Sequence, residues 1–279
     1  MSLQPKKSAI LLESLLDLKR RAVGVKFLLD REEYENCTET AIGGIMPYCT
    51  FIRNASAGKA YKATVEHFAC RGAAMALGML KPDQLTLSGK PRWKNGSYST
   101  LCVARNVSKK MVYCEHDCYG VVIKPLSEYE QAPDVVLIIT DPYNAMRFTQ
   151  GYAYYEGHTK GIQMSGMQAI CQECTSYPFE ENDMNISMLC SGTRMLAQWS
   201  RDELAIGIPY HKFLTVLDGI KQTVNPLERN KHKEVIAEKL RVNELSDELQ
   251  IVMNKNYDDG AYKAVVLDTT CKKHKMGEN

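Results

Sequence analysis

Leu11, Leu15 and Leu18 recur at i, i+4 and i+7, with Leu12 and Leu16 beside them, and this spacing predicts an amphipathic helix over 8–20. The run AVGVKFL over 22–28 predicts a strand, and the chain then reads as loop over 30–48, punctuated by Gly43, Gly44 and Pro47. A helix over 48–57 closing near Gly58, a short strand over 60–65, and a closely packed small-residue helix over 70–79 (CRGAAMALGM) follow. Residues 81–100 are polar and carry Pro82, Gly89, Pro91 and Gly96, as a surface connection would. Strands are expected over 101–107 and 119–126. The run VVLII over 135–139 has no polar position, so it predicts a central strand buried on both faces. Asp141 supplies an N-cap and Pro142 a first helical position for a helix running to about Tyr155, with Gly157 as its stop.

Beyond it, the pattern predicts a strand over 161–164, a helix over 168–174 ending before Pro178, and a strand over 186–189. Ser200 and Glu203 form a capping-box pattern for a short helix carrying Leu204 and Ile206. Helices over 211–222 and from Asn225-Pro226 to about Val242, a turn at Asp258-Asp259-Gly260 and a last strand over 262–267 complete the reading. Strands interleaved with capped helices predict one α+β domain over 1–279, a mixed sheet flanked by helices, with a helical C-terminal region over 201–255. An internal duplication is also legible, with units at about 22–100 and 119–200. Arg53, Gly58 and Cys70 in one match Arg147, Gly157 and Cys171 in the other. That match predicts Cys70 and Cys171 at equivalent helix starts facing a shared cleft, with Cys190 reaching it from a strand end.

Charge narrows the function classes. Lys+Arg number 35 and Asp+Glu 33, a net charge of +2, so nothing electrostatic favours nucleic acid or a membrane surface. No run reaches the roughly 18 apolar residues of a membrane span. The 44% hydrophobic and 24% charged content is that of an ordinary globule and excludes general disorder. The count that stands out is ten cysteines. Glu13 and Asp17 interrupt the first apolar stretch, which therefore does not read as a secretory leader. The expectation is a reducing cytoplasm, in which thiols stay free, bind metal or do chemistry.

Four cysteines lead the candidate metal ligands. Cys171 and Cys174 form a C-x-x-C whose sulfurs share one face of a helix, a spacing suited to zinc, an iron–sulfur cluster or a cycling dithiol. Cys70 opens a small-residue helix, and Cys190 precedes Ser191-Gly192, where a glycine lets the backbone approach a ligand. A second cluster, Cys114, His116 and Cys118, gathers three zinc-ligand types in five residues. Ordinary core packing of free cysteines is the competing reading of all of them. Arg53, Arg147 and Arg194 are candidates for anchoring an acidic small molecule through planar guanidinium groups, against the alternative of a solvated helix face. No phosphate-binding loop, dinucleotide fingerprint, zinc-protease motif or nucleophile elbow occurs, and His67, His116 and His158 suggest no triad.

The segments LLDLKRRAVGVKFL, HFACRGAAMALGM, APDVVLIITDPYNAMRFTQ, GMQAIC, LCSGTR and RDELAIGIP, in that order over about 10–210, resemble the cysteine-rich family called domain of unknown function 169. That family is found largely in archaea and anaerobic bacteria. The resemblance implies a shared fold and a cytosolic setting and supplies no catalytic residues. The cluster around His116 and the second cysteine of the C-x-x-C, Cys174, lie outside the segments that carry it. The functional expectation is therefore a cytoplasmic protein with a thiol-containing small-molecule site or a metal or iron–sulfur centre. The alternatives are a metal-free thiol enzyme acting on a small acidic substrate and a non-catalytic ligand-binding module with structural cysteines.

Overall fold

The computed structural model of the chain describes residues 4–248. The strand expected over 262–267 lies outside the described residues. In the first half, α1 (Pro5–Leu15) leads to β1 (Val23–Leu28), α2 (Arg31–Asn36), α3 (Tyr48–Ser56), β2 (Tyr61–Thr64), α4 (Arg71–Ala76), α5 (Gln84–Leu87), α6 (Lys90–Lys94), α7 (Leu101–Lys110) and β3 (Gly120–Pro125). The second half runs β4 (Val135–Thr140), α8 (Pro142–Glu156), a π-helix (Ala169–Ser176), α9 (Tyr177–Glu181), β5 (Asn185–Ser187), α10 (Ser191–Ala197) and β6 (Leu204–Pro209). Helices α11 (Tyr210–Gln222), α12 (Val224–Leu227) and α13 (Asn230–Val242) follow.

The fold is α+β. Among the described residues, six strands form one sheet in the order β2-β3-β1-β4-β6-β5. Where a mixed sheet was expected, every strand pairing is antiparallel. The order has an inner regularity: in each half the first strand is central, the second lies at the edge, and the third fills the gap between them. The strand predicted over 135–139 is central and buried along its whole length. Val135, Leu137 and Ile139 point into one core while Val136 and Ile138 point into the other, as a period of two requires.

A layer of helices covers each face. Helices α3, α4, α10 and the π-helix close the first core, around Phe51, Ile52, Ala73, Ile170 and Ala197. Helices α1, α8, α11 and α13 close the second, around Leu12, Phe148, Phe213, Val216 and Leu240. In the second layer α8 and α11 cross so closely that a Cβ at Gly219 would lie 2.1 Å from the Gly151 carbonyl oxygen. On the first face, a Cβ at Gly207 of β6 would lie 2.0 Å from the Cys174 carbonyl oxygen, so the π-helix rests directly on the sheet.

Several local expectations are corrected. Residues 101–107 are helical, not a strand: Thr100 caps α7 by accepting from the Val103 N–H at 3.2 Å, and the buried positions Ala104 and Ser108 are four apart rather than alternate. Residues 204–206 lie in β6, not a helix. The Ser200 N–H does donate to Glu203 Oε2 at 2.7 Å, but this contact closes a turn, and the apolar run LAIGIP is drawn between β4 and β5. The first helix begins at Pro5 and ends at Leu15. Within 30–48, α2 forms because the Asp30 carboxylate caps the Glu33 N–H at 2.9 Å. Residues 161–164 form no strand. The single helix expected from Asn225 to about Val242 is divided: Asn225 lies inside the one-turn α12 rather than capping it, and α13 begins separately at Asn230. The helices bearing Arg53 and Arg147, matched to each other in sequence, lie on opposite faces of the sheet: α3 on the first, α8 on the second.

Candidate functional site

Four cysteines meet on the first face. Cys49 is the second residue of α3, Cys70 the N-cap of α4, Cys171 the third residue of the π-helix and Cys190 the N-cap of α10. Cys49 and Cys171 are buried in the first core, and the half-buried Cys70 and Cys190 pack against it. Short polar links tie the four together. The Thr193 N–H donates to Cys190 Sγ at 3.4 Å, and the Thr193 side chain is hydrogen-bonded to the Cys49 thiol. The Cys171 thiol donates to the Gln168 carbonyl at 3.6 Å, and the same residue's Nε2 donates to the Gly72 carbonyl at 2.8 Å, two residues beyond Cys70. Arg92 Nη2 donates to Gln168 Oε1 at 2.7 Å and fixes that side chain from the other side. The hydroxyls of Tyr48 and Thr175, 3.1 Å apart, join α3 to the π-helix.

Electrostatics reports the same grouping. Burial pushes the Cys171 thiol well above its ordinary pKa, and the charges of Cys70, Cys190 and Cys49 push it further. Burial also raises Cys49; a hydrogen bond with Thr193 opposes the rise, and Cys190 and Cys70 add to it. The two buried thiols, Cys49 and Cys171, are thus held neutral without a counter-charge, and a bound cation would reverse that preference.

The four come in two matched pairs. Cys49 and Cys171 sit in the first turn of the first-face helix that precedes an edge strand in each half. Cys70 and Cys190 each follow an edge strand, each as the first residue of a Cys-x-Gly that opens a short helix. A Cβ at Gly72 would lie 2.6 Å from Gln168 Nε2 and 3.8 Å from Cys70 Sγ, and one at Gly192 3.9 Å from Cys190 Sγ, so each glycine lies beside its thiol and the first also makes room for Gln168. Of the predicted ligands, Cys70, Cys171 and Cys190 are brought together. Cys174 is fully buried beneath them, hydrogen-bonded to Ser187 and near Glu173 as well as Cys190. Sequence reasoning missed Cys49; its signal was its place in the first turn of a helix before a short strand, shared with Cys171.

The predicted arginines scatter. Arg53 donates to Gln198 Oε1 at 3.3 Å at the rim of α3. Arg194 spends its guanidinium on the carbonyls of Met188, Glu203 and Ser200. Arg147 lies on the opposite face, 1% exposed, with Nε 2.9 Å from Glu228 Oε1 though off-line for a hydrogen bond, and Nη2 on the Ile220 carbonyl at 3.1 Å. The second predicted cluster closes with a different partner. Ligand atoms of Cys114, His116 and Glu180 lie within 4.8 Å of one another, while the Cys118 thiol donates to the Gly120 carbonyl at 3.1 Å. Burial raises the Cys114 thiol, with the Glu180 and Cys118 charges adding to it.

Comparison with known proteins shows the family. The family model of DUF169, described as an uncharacterised ArCR, matches residues 11–219. The chain belongs to the DUF169 family. The matched region takes in the whole sheet and all four clustered cysteines and stops within α11. This DUF169 chain is also similar to the uncharacterized protein MJ0308 of Methanocaldococcus jannaschii, at 26% identity over 218 residues, covering 77% of the chain and 93% of the archaeal protein. No solved structure matches the DUF169 chain. Among its described residues, no helix is long and apolar enough to cross a membrane.

Proposed function

We propose that Cys49, Cys70, Cys171 and Cys190 hold an iron–sulfur cluster and that the protein works through this centre. The observation that carries the reading is the convergence of four thiols from four separate elements, two from each half of the sheet, on one partly accessible spot. Four cysteine thiolates are the ordinary ligand set of such clusters. A single zinc ion would need its sulfurs drawn to about 2.3 Å from one centre. Among the described residues, the group whose ligand atoms lie mutually within 4.8 Å is Cys114, His116 and Glu180, not these thiols. The wider spread favours a polynuclear centre, which distributes its cysteines over several iron atoms. The π-helix that carries Cys171 fits the same reading, because such segments recur at functional sites. The two matched pairs also support a diverged duplication in a different register from the sequence match, with Cys49 rather than Cys70 answering Cys171, and Cys70 answering Cys190.

Such a centre takes up or gives an electron or binds a small ligand at an iron. The half-buried Cys70 and Cys190 place its edge near the surface. The N–H donated to Cys190 is of the kind that tunes cluster potential. The test is anaerobic purification with an absorption spectrum and iron and sulfide analysis. The expected result is a brown protein, bleached by reductant, whose iron is lost on Ser replacement of any of the four and retained in Cys174→Ser. A folded protein that stays colourless after anaerobic reconstitution with ferrous iron and sulfide overturns the proposal.

A further inference from the structure

A second and chemically different centre lies elsewhere on the first face. We propose that Cys114, His116 and Glu180 bind a zinc ion through one sulfur, one imidazole nitrogen and one carboxylate oxygen. The three ligand atoms already lie within 4.8 Å of one another, although His116 and Glu180 are far apart in sequence. His116 Nδ1 is 3.7 Å from Glu180 Oε1, and its Nε2 is inaccessible to solvent and has no hydrogen-bond partner.

The site is built rather than incidental. The Cys114 N–H donates to the Ala76 carbonyl at 2.9 Å and the Cys118 N–H to the Gly78 carbonyl at 3.2 Å, so the loop is clamped on the end of α4. Gly78 makes the clamp possible: it adopts φ +80, and a Cβ there would lie 2.4 Å from the His116 carbonyl oxygen. The imidazole is held between Phe27, at 5.3 Å and 84°, and Phe179, at 5.0 Å and 57°. Glu180 Oε1 accepts the Glu115 N–H at 3.0 Å, which orients the carboxylate. Sulfur, nitrogen and oxygen ligands together suit zinc, which uses all three. Three protein ligands leave a fourth tetrahedral position, and the exposures of 24% for His116 and 20% for Glu180 open it to water or a small anion.

Cobalt(II) titration of the metal-free full-length chain tests this, with Cys190→Ser as the background so that the four-thiol site is disabled. The expected result is one equivalent bound with a thiolate-to-cobalt absorption band, abolished by adding Cys114→Ser. His116→Ala and Glu180→Gln, each added to the same background, are expected to weaken binding by roughly tenfold or more, with circular dichroism unchanged. These two variants decide the matter even if Cys114→Ser fails to fold. Absence of the band in folded Cys190→Ser protein overturns the proposal, as does a band that survives Cys114→Ser or is indifferent to both milder variants.

Discussion

The two faces of the sheet are built on different terms. The second is closed by long helices, 15 residues in α8 and 13 each in α11 and α13, packed around leucine, isoleucine and phenylalanine. The first is closed by pieces: nine residues in α3, six in α4, eight in the π-helix and seven in α10. Short helices gain little from their own hydrogen bonds. What they supply is ends, and two of the four clustered thiols are N-caps while the other two sit in first turns. The first face thus trades regular packing for the placement of sulfur, and the second face provides the stability against which that placement is held.

The comparison is tested most severely by Arg147→Met. The guanidinium is buried against the 3% exposed Glu228, and its removal leaves that carboxylate only the Tyr143 hydroxyl and the His232 ring as partners, a cost of up to about 3–5 kcal/mol. Chemical denaturation should register that loss, while iron per folded chain stays unchanged. A fall in iron at constant fold would show that the two faces are coupled.

A matched pair of substitutions sharpens the contrast. Gly219→Ala places a methyl 2.1 Å from the Gly151 carbonyl oxygen in the second layer, and Gly207→Ala places one 2.0 Å from that of Cys174 beneath the cluster. Both contacts are with backbone, and overpacking of this kind costs about 1–3 kcal/mol or more. Only Gly207→Ala should also lower iron content, because it displaces the π-helix that carries Cys171. Equal depletion in the two variants would remove the distinction.

The smallest expected effect is a pH dependence confined to the second face. Lys221 Nζ lies 2.9 Å from Asp218 Oδ1 and 2.9 Å from Glu248 Oε2. Burial alone would lower the lysine pKa, but its bonds to Asp218 and Glu248 outweigh burial and hold it above the ordinary value. Burial would raise Asp218; its bonds with Lys221 and Tyr155 hold it below. The lysine's contribution is complete below its unfolded pKa near 10.4 and is lost as pH rises through the raised folded value. The aspartate's is complete above about 3.9 and is lost as pH falls through the lowered one. Thermal melts of wild type and Lys221→Met should therefore differ by a constant amount around neutrality, with the gap narrowing at acid pH. A gap that grows on acidification would contradict the assignment.

Local chemistry fixed more of this molecule than of its site. The apolar run at 135–139 and the Asp141-Pro142 cap determined β4 and the start of α8, because a strand with no polar side and a capped proline admit few alternatives. Cysteine count and spacing drew attention to Cys70, Cys171 and Cys190, and the ordered segments sufficed for the family. Tertiary structure decided the rest. LAIGIP became a strand because β4 and β5 left a gap for it, a gain no window of local sequence contains. Cys49 joined the other thiols, and Glu180 joined Cys114 and His116, through contacts between segments far apart in the chain. Arg147 went to the opposite face because α8 and α3 follow their central strands on different sides of the sheet. Residue spacing determines which side chains share a helix or strand face; which faces meet depends on the order of strands in the sheet.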